Sequence, residues 1–122
     1  MGFYINNNAV VHKNSGAMVR TDDLCHVGKY IVCFTNIAES KDAVNTASSV
    51  FHNGQAICHQ ASYFSKSTGD EAGDSGVRSG TIAAKAVFIT GSSDVFIESE
   101  PAVKVGDKMI SNAGNTSVGV LF

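Results

Sequence analysis

The sequence has no tryptophan, a single proline, and only 16% Asp, Glu, Lys and Arg in its 122 residues. An average soluble domain carries about 25% charged residues. So low a charge density, with 12 glycines, argues against a solvated disordered tail and favours a compact β protein rich in turns. The net charge of −2 gives no electrostatic reason to expect nucleic acid or an anionic membrane as partner. No apolar run approaches the ~20 residues of a membrane-crossing helix. Met1-Gly2-Phe3-Tyr4-Ile5-Asn6-Asn7-Asn8 has neither the basic start nor the apolar stretch of a secretory signal. Asn6 also stands where a myristoylation motif wants Ser or Thr. The three cysteines, Cys25, Cys33 and Cys58, are odd in number and show no CxxC spacing. That pattern points to free thiols in a reducing cytoplasm, not to a disulfide framework. Synthesis in the cytoplasm without a signal peptide is the expectation, with any export by other machinery.

What is present reads as short strands and turns. Phe3-Tyr4-Ile5 suits a strand, and Val10-Val11 and Met18-Val19 flank a Lys13-Asn14-Ser15-Gly16 turn as a hairpin would. Asp22-Asp23-Leu24-Cys25-His26 is expected to leave that second strand. Tyr30-Ile31-Val32-Cys33-Phe34 is short enough for a buried strand. The polar stretch from Asn36 to Thr46 leaves room for a turn of helix. Asn53-Gly54 between two strand-like segments is the clearest hairpin signal, because both residues tolerate positive φ. Thr81 to Thr90 reads as a strand, although its alanines leave a helix open. Val95-Phe96-Ile97 and Ala102-Val103-Lys104-Val105 follow as strands, and Val118 to Phe122 ends the chain as an edge strand or a docking segment.

Two of these units match. Val50-Phe51-His52-Asn53-Gly54-Gln55-Ala56 lines up with Val95-Phe96-Ile97-Glu98-Ser99-Glu100-Pro101 at an offset of 45. A fainter third copy begins at Val11, with Asn14-Ser15 at its turn and Asp22-Asp23 at its end. Self-similarity at a fixed period marks a repeat architecture whose units cannot close a core alone. Three hairpin-type units around an axis make a stubby all-β body with pseudo-threefold symmetry.

One run fits neither strand nor helix. Ser65-Lys66-Ser67-Thr68-Gly69-Asp70-Glu71-Ala72-Gly73 holds no aliphatic residue larger than alanine, so it is not the core face of either. Gly69 and Gly73 suit turns, and Asp70 can bond back to neighbouring amides. A phosphate-binding loop would need a Gly-Lys-Ser/Thr ending that is missing here. On composition alone this is a long surface loop between β units.

Its wording says more. Tyr63 to Gly73 resembles the signature of PAAR-like proteins, the small spike-tip proteins of contractile injection systems such as type VI secretion and phage-tail-like particles. The resemblance extends to Asp23-Leu24-Cys25, Asn36-Ile37-Ala38, Gly76 to Ile82, Ser93-Asp94-Val95, Gly106-Asp107-Lys108-Met109 and Asn112. It spans residues 20 to 115, with Ser67, Thr68, Gly69, Asp70, Glu71 and Gly73 as the signature loop. It implies an all-β fold, a small PAAR-like β cone of three hairpin-type repeats. The implied protein is a single domain over residues 1–122 with no effector extension. It would be a non-enzymatic tip that caps a trimeric VgrG-like spike and meets the target membrane only during puncture. An effector or cargo protein is a further possible partner.

Such tips are often built around zinc held by His and Cys, and zinc takes about four N/S ligands. Cys25, His26, Cys58 and His59 are the candidates here, Cys25-His26 being the best placed after Asp22-Asp23. The last copy departs from the pattern: Asp107-Lys108-Met109-Ile110-Ser111-Asn112 has neither Cys nor His. The alternative is that Cys33 and Cys58 are small buried apolar residues and the histidines lie at the surface. A small metal- or cysteine-dependent enzyme using the same four residues is the rival function, and it calls for a pocket with perturbed titratable groups. A tip needs an apolar base instead. Phe3, Tyr4, Ile5, Leu121 and Phe122 are the candidate interface residues, with the turns at Asn53-Gly54 and Ser99-Glu100 beside them; ordinary core packing is their alternative role.

Overall fold

The computed structural model describes residues 10–122, and Phe3, Tyr4 and Ile5 lie outside that range. Among the described residues every regular element is a strand apart from two short 3₁₀ turns. In chain order the strands are β1 (Met18–Val27), β2 (Tyr30–Glu39), β3 (Ala43–Val44), β4 (Phe51–His52), β5 (Gln55–Ala56) and β6 (Tyr63–Phe64). They continue with β7 (Ser75–Gly76), β8 (Ala86–Phe88), β9 (Phe96–Ile97), β10 (Glu100–Pro101), β11 (Lys108–Ile110) and β12 (Val118–Val120). The protein is the expected all-β cone.

β1 and β2 form a long hairpin in which Val27 faces Tyr30 across the Gly28-Lys29 turn and Met18 faces Glu39. β7 adds to β1. A five-stranded sheet runs β12-β11-β8-β6-β3, and the two small hairpins β4–β5 and β9–β10 stand apart from it. Their turns sit at Asn53-Gly54 and Glu98-Ser99, all four residues with positive φ. Asn-Gly meets that demand easily; Glu98 and Ser99 meet it at a cost.

The N-terminal segment corrects two expectations. His12 to Ser15 does turn, with the Ser15 amide donating to the His12 carbonyl, but Val10 and Val11 are not a strand. The Cys58 amide donates to the Val11 carbonyl instead. Nor does Asp22 to His26 leave the strand: it is the middle of β1. Alternation along β1 explains why the sequence misled. Thr21, Asp23 and Cys25 face inward while Asp22, Leu24 and His26 face out, so the buried side of this strand carries polar residues. Ala102 to Val105 is mostly extended core without a ladder, and only Ala86 to Phe88 of the Thr81–Thr90 stretch is strand.

The repeat is present, in a different register from the sequence match for its first copy. Cys58 follows Val11 by 47 positions, and Val103 follows Cys58 by 45. All three lie in one apolar cluster, as do Ala17, Phe64 and Met109, which stand six residues further along each copy. Each copy opens with the same turn. Ser15, Ser62 and Asp107 amides donate to the carbonyls of His12, His59 and Lys104 at 3.1, 2.9 and 3.0 Å. The side chains of Ser15, Ser62 and Asp107 accept the amides of those same three residues. Because no copy buries its apolar side chain alone, the three close one core between them. Phe64 packs edge-on to Phe88 with ring centroids 5.7 Å apart. A second cluster, built on Ile57, Ile97 and Ala102, lies under the two small hairpins.

Candidate functional site: the polar axis

Twelve residues beyond Val11, Cys58 and Val103 come Asp23, Asp70 and Asn115. These three equivalent side chains meet in one buried network. Asp23 comes from the inward face of β1, Asp70 from the signature loop, and Asn115 from the turn before β12. Asn115 Nδ2 donates to Asp23 Oδ1 at 2.5 Å and to the Leu24 carbonyl at 2.9 Å. Its Oδ1 accepts the Arg78 and Ser79 amides. Asn112 Nδ2 reaches both Asp23 oxygens, and Asn36 Nδ2 lies between Asp23, Asp70 and Ser67. Ser111 Oγ in turn donates to Asn36 Oδ1 at 2.7 Å. Asp70 accepts the Ala83 amide at 3.1 Å, and Ala83 holds φ +56 to present it.

The signature loop is built to deliver Asp70 into this network. The Thr68 and Ile37 amides exchange bonds at 2.8 Å, fastening the loop to β2. Ser67 Oγ donates to the Ala84 carbonyl at 2.7 Å. Gly69 has φ +113, and a Cβ there would run into the Thr35 carbonyl oxygen. The exposed Glu71 carboxylate accepts the Gly69 amide at 2.6 Å. A Cβ on Gly73 would come within 2.9 Å of Cys25 Cβ. Hence Gly69 and Gly73 serve close approach to the β1–β2 hairpin, Ser67 and Asp70 point in, and Thr68 and Glu71 hold the loop's outer edge.

Electrostatics separates the two acids. Burial pushes the Asp70 carboxyl up, to about 6, and its hydrogen bond with Asp23 adds to the rise. Burial acts upward on Asp23 too, but hydrogen bonds from Asp70, Asn115, Asn112 and Cys25 outweigh it and hold Asp23 below its ordinary value. Two adjacent carboxyl groups titrate apart in this way, one ionising at lower pH than the other. Burial and the Asp23 charge push the Cys25 thiol up to about 12, and it donates to Asp23 Oδ1 at 3.5 Å.

The four candidate metal ligands do not come together. Cys25 points inward from β1 and His26 outward. Cys58 belongs to the apolar core, where burial pushes its thiol up to about 12. His59 is buried in the repeat turn, its Nδ1 accepting the Ala61 amide at 3.2 Å. His12 does the same with Asn14 in the first copy, so both histidines are turn residues. Among the described residues, the potential ligand atoms that converge to within 4.8 Å belong to Asp23, Cys25 and Asp70. Asparagine N–H groups point at those oxygens from Asn36, Asn112 and Asn115, where a cation would need lone pairs. With one sulfur and no nitrogen ligand, this set does not fit zinc.

Of the proposed interface residues, Phe122 is exposed, but Leu121 is core at 1% exposure. A cleft of about 300 Å³ opens on the outer face of the β1–β2 hairpin, lined by Asp22, Leu24, Cys33, Arg78 and Asn115 to Ser117. It contains none of Cys25, His26, Cys58 and His59. Of the axis residues, Asp23, Asn36, Asp70 and Asn112 fall in motifs of the resemblance and Asn115 in none. The signal for Asn115 is the repeat itself, since it follows Asp70 by the same 45 positions that separate the two small hairpins.

The domain is thus three β copies closed on a polar axis, with a signature loop delivering one axial acid. The model of the family described as "Toxin PAAR-like domain" matches residues 16–118, and the chain belongs to that family. No curated protein and no solved structure matched the chain.

Proposed function

We propose that this protein is a non-enzymatic tip that caps a trimeric VgrG-like spike of a contractile injection system. The observation that carries this reading is the placement of Phe51 and Phe96. They occupy the same position in consecutive copies, at the edges of the two small hairpins, and are 58% and 57% exposed. Tyr4 stands in the same sequence register, 47 positions before Phe51. A trimer offers three identical surfaces at its end. A single chain meets all three only if it carries three similar contact points, and large exposed aromatic groups are the usual anchors of such contacts. The base is then the face of the small hairpins and not Leu121.

The task is mechanical. Force applied along the spike loads the backbone ladders and the packed core, and neither requires a reactive group. The buried Cys25 and Cys58 thiols, held as neutral SH groups, suit packing better than nucleophilic attack. The target membrane is met during puncture alone, and any effector would bind as a separate partner. Assembly of the tip onto the spike takes place in the producing cell.

Mixing the full chain with a trimeric VgrG-like spike and weighing the complex by native mass spectrometry tests this. One chain per spike trimer is expected, lost in a Phe51→Asp/Phe96→Asp double variant whose melting temperature is unchanged. Absence of any complex, or one chain bound to each spike subunit, would overturn it.

A further inference from the structure

We infer that the axis of this domain is pinned by a proton shared between Asp70 and Asp23, in place of a metal ion, so that the fold tightens in acid. Asp23, Asp70 and Asn115 are one position in three copies, and the neutral Asn115 already shows how a copy satisfies Asp23: it donates a hydrogen to the carboxylate. Asp70 can do likewise only as the protonated acid. Both carboxyl groups have no exposure, so water does not substitute for that hydrogen.

The surroundings leave one charge to be held. From β1, Asp23 and Cys25 bring an oxygen and the sulfur to within 4.8 Å of an Asp70 oxygen; Asn36 on β2 donates to both acids, Asn112 and Asn115 donate to Asp23, and Asp70 accepts the Ala83 amide. Cys33 on β2 is the other titratable group near Cys25. Among the described residues the ion pairs are Lys41 with Glu39 and Lys104 with Asp107, and neither touches the axis. Asp23 receives the amide donors of Asn36, Asn112 and Asn115, and Asp70 receives the Ala83 amide and a share of Asn36; a second charge there would still face the first in a buried site, which is strongly unfavourable. The elevated Asp70 value agrees with this geometry.

The sign follows. A folded-state value near 6, above the ordinary 3.8, gives stability that is complete below pH 3.8 and is lost as pH rises through 6. Asp23, held low, contributes in the opposite sense and is lost only in stronger acid.

The test uses the full chain and its Asp70→Asn variant, in which the amide donates to Asp23 without carrying charge. The melting temperature of the wild type minus that of the variant should fall by several degrees between pH 4 and pH 7. Carbon-13 carboxyl titration of the wild type, which does not depend on the variant folding, should show one aspartate with a midpoint near 6. Chelator should leave both melting temperatures unchanged. A flat difference across that range, all carboxyl midpoints below 4.5, or one equivalent of zinc whose removal lowers the melting temperature would each overturn the inference.

Discussion

Asn115 and Asp23 occupy the same position in the third and first copies, and one donates to the other at the centre of the molecule. A pseudo-threefold axis ordinarily repeats like groups. Here three carboxylates would repel, so one copy substitutes the amide that is closest in shape to the acid. The symmetry of the backbone is kept and the symmetry of charge is broken.

Replacing Asn115 should therefore be costly. Asn115→Ala removes donors to Asp23 and the Leu24 carbonyl and the acceptor of two amides. Leaving buried polar groups unpaired costs about 1–3 kcal/mol each, and the total here should be roughly 3 kcal/mol or more. Asn115→Asp keeps the shape but adds a third acid, and should be the less stable of the two at pH 7 while regaining stability at pH 5. Urea unfolding at both pH values distinguishes the two. Equal loss in both variants at both pH values would mean that shape, not charge, governs the position.

The signature glycine makes a second prediction. At Gly69 an alanine meets both a positive φ and the Thr35 carbonyl, whereas Gly80 has φ +73 with nothing within 4 Å of the added Cβ. Gly80→Ala should cost about 1 kcal/mol, the conformational term alone. Gly69→Ala should cost at least ~3 kcal/mol, because the loop must lift from β2 and carry Asp70 with it. Similar losses for both would show that the close approach to Thr35 has no energetic weight.

How much of this was legible in the sequence depended on which signal each residue emitted. Asn53-Gly54 announced its turn because only a few residues adopt those angles freely. The signature loop was legible as a loop for want of any large aliphatic residue. β1 was not legible in full: its buried side carries Thr21, Asp23 and Cys25, so apolar alternation, the usual mark of a half-buried strand, is missing. The zinc expectation came from the resemblance, and its ligands from the His and Cys residues at hand. Position along a strand decides whether neighbours share a face, and Cys25 and His26 do not. Asn115 emits no local signal at all; only the spacing of the copies points to it.

Thiol chemistry should follow burial. Cys33 is exposed, while Cys25 and Cys58 are buried with thiols pushed up to about 12. Native protein treated with iodoacetamide at pH 8 should take up one label, at Cys33, and denatured protein three. Mass spectrometry of the intact chain and its peptides reads both numbers. Rapid native labelling of Cys25 would mean that the β1–β2 hairpin opens away from the signature loop.

Glu98 supplies a pH dependence of opposite sign from that of Asp70. Its exposed carboxylate accepts the Ser49 hydroxyl at 2.6 Å and amide at 2.7 Å, with the Ser48 amide and hydroxyl beside them. This links the third copy's hairpin to the segment ahead of the second copy's hairpin. The Ser49 hydroxyl and the Ser48 and Ser49 amides draw its value down to about 2 from 4.5. A group depressed on folding stabilises above its unfolded value and loses that contribution as pH falls toward the folded one. Water screens so exposed a group, so the effect should be small. Glu98→Gln should melt slightly below the wild type at pH 6, and the two should converge between pH 4.5 and pH 2. That window lies mostly below the one in which Asp70 acts, so calorimetry of the wild type and both variants from pH 2 to pH 7 separates the two. Parallel curves for wild type and Glu98→Gln would show that the serine contacts contribute nothing in solution.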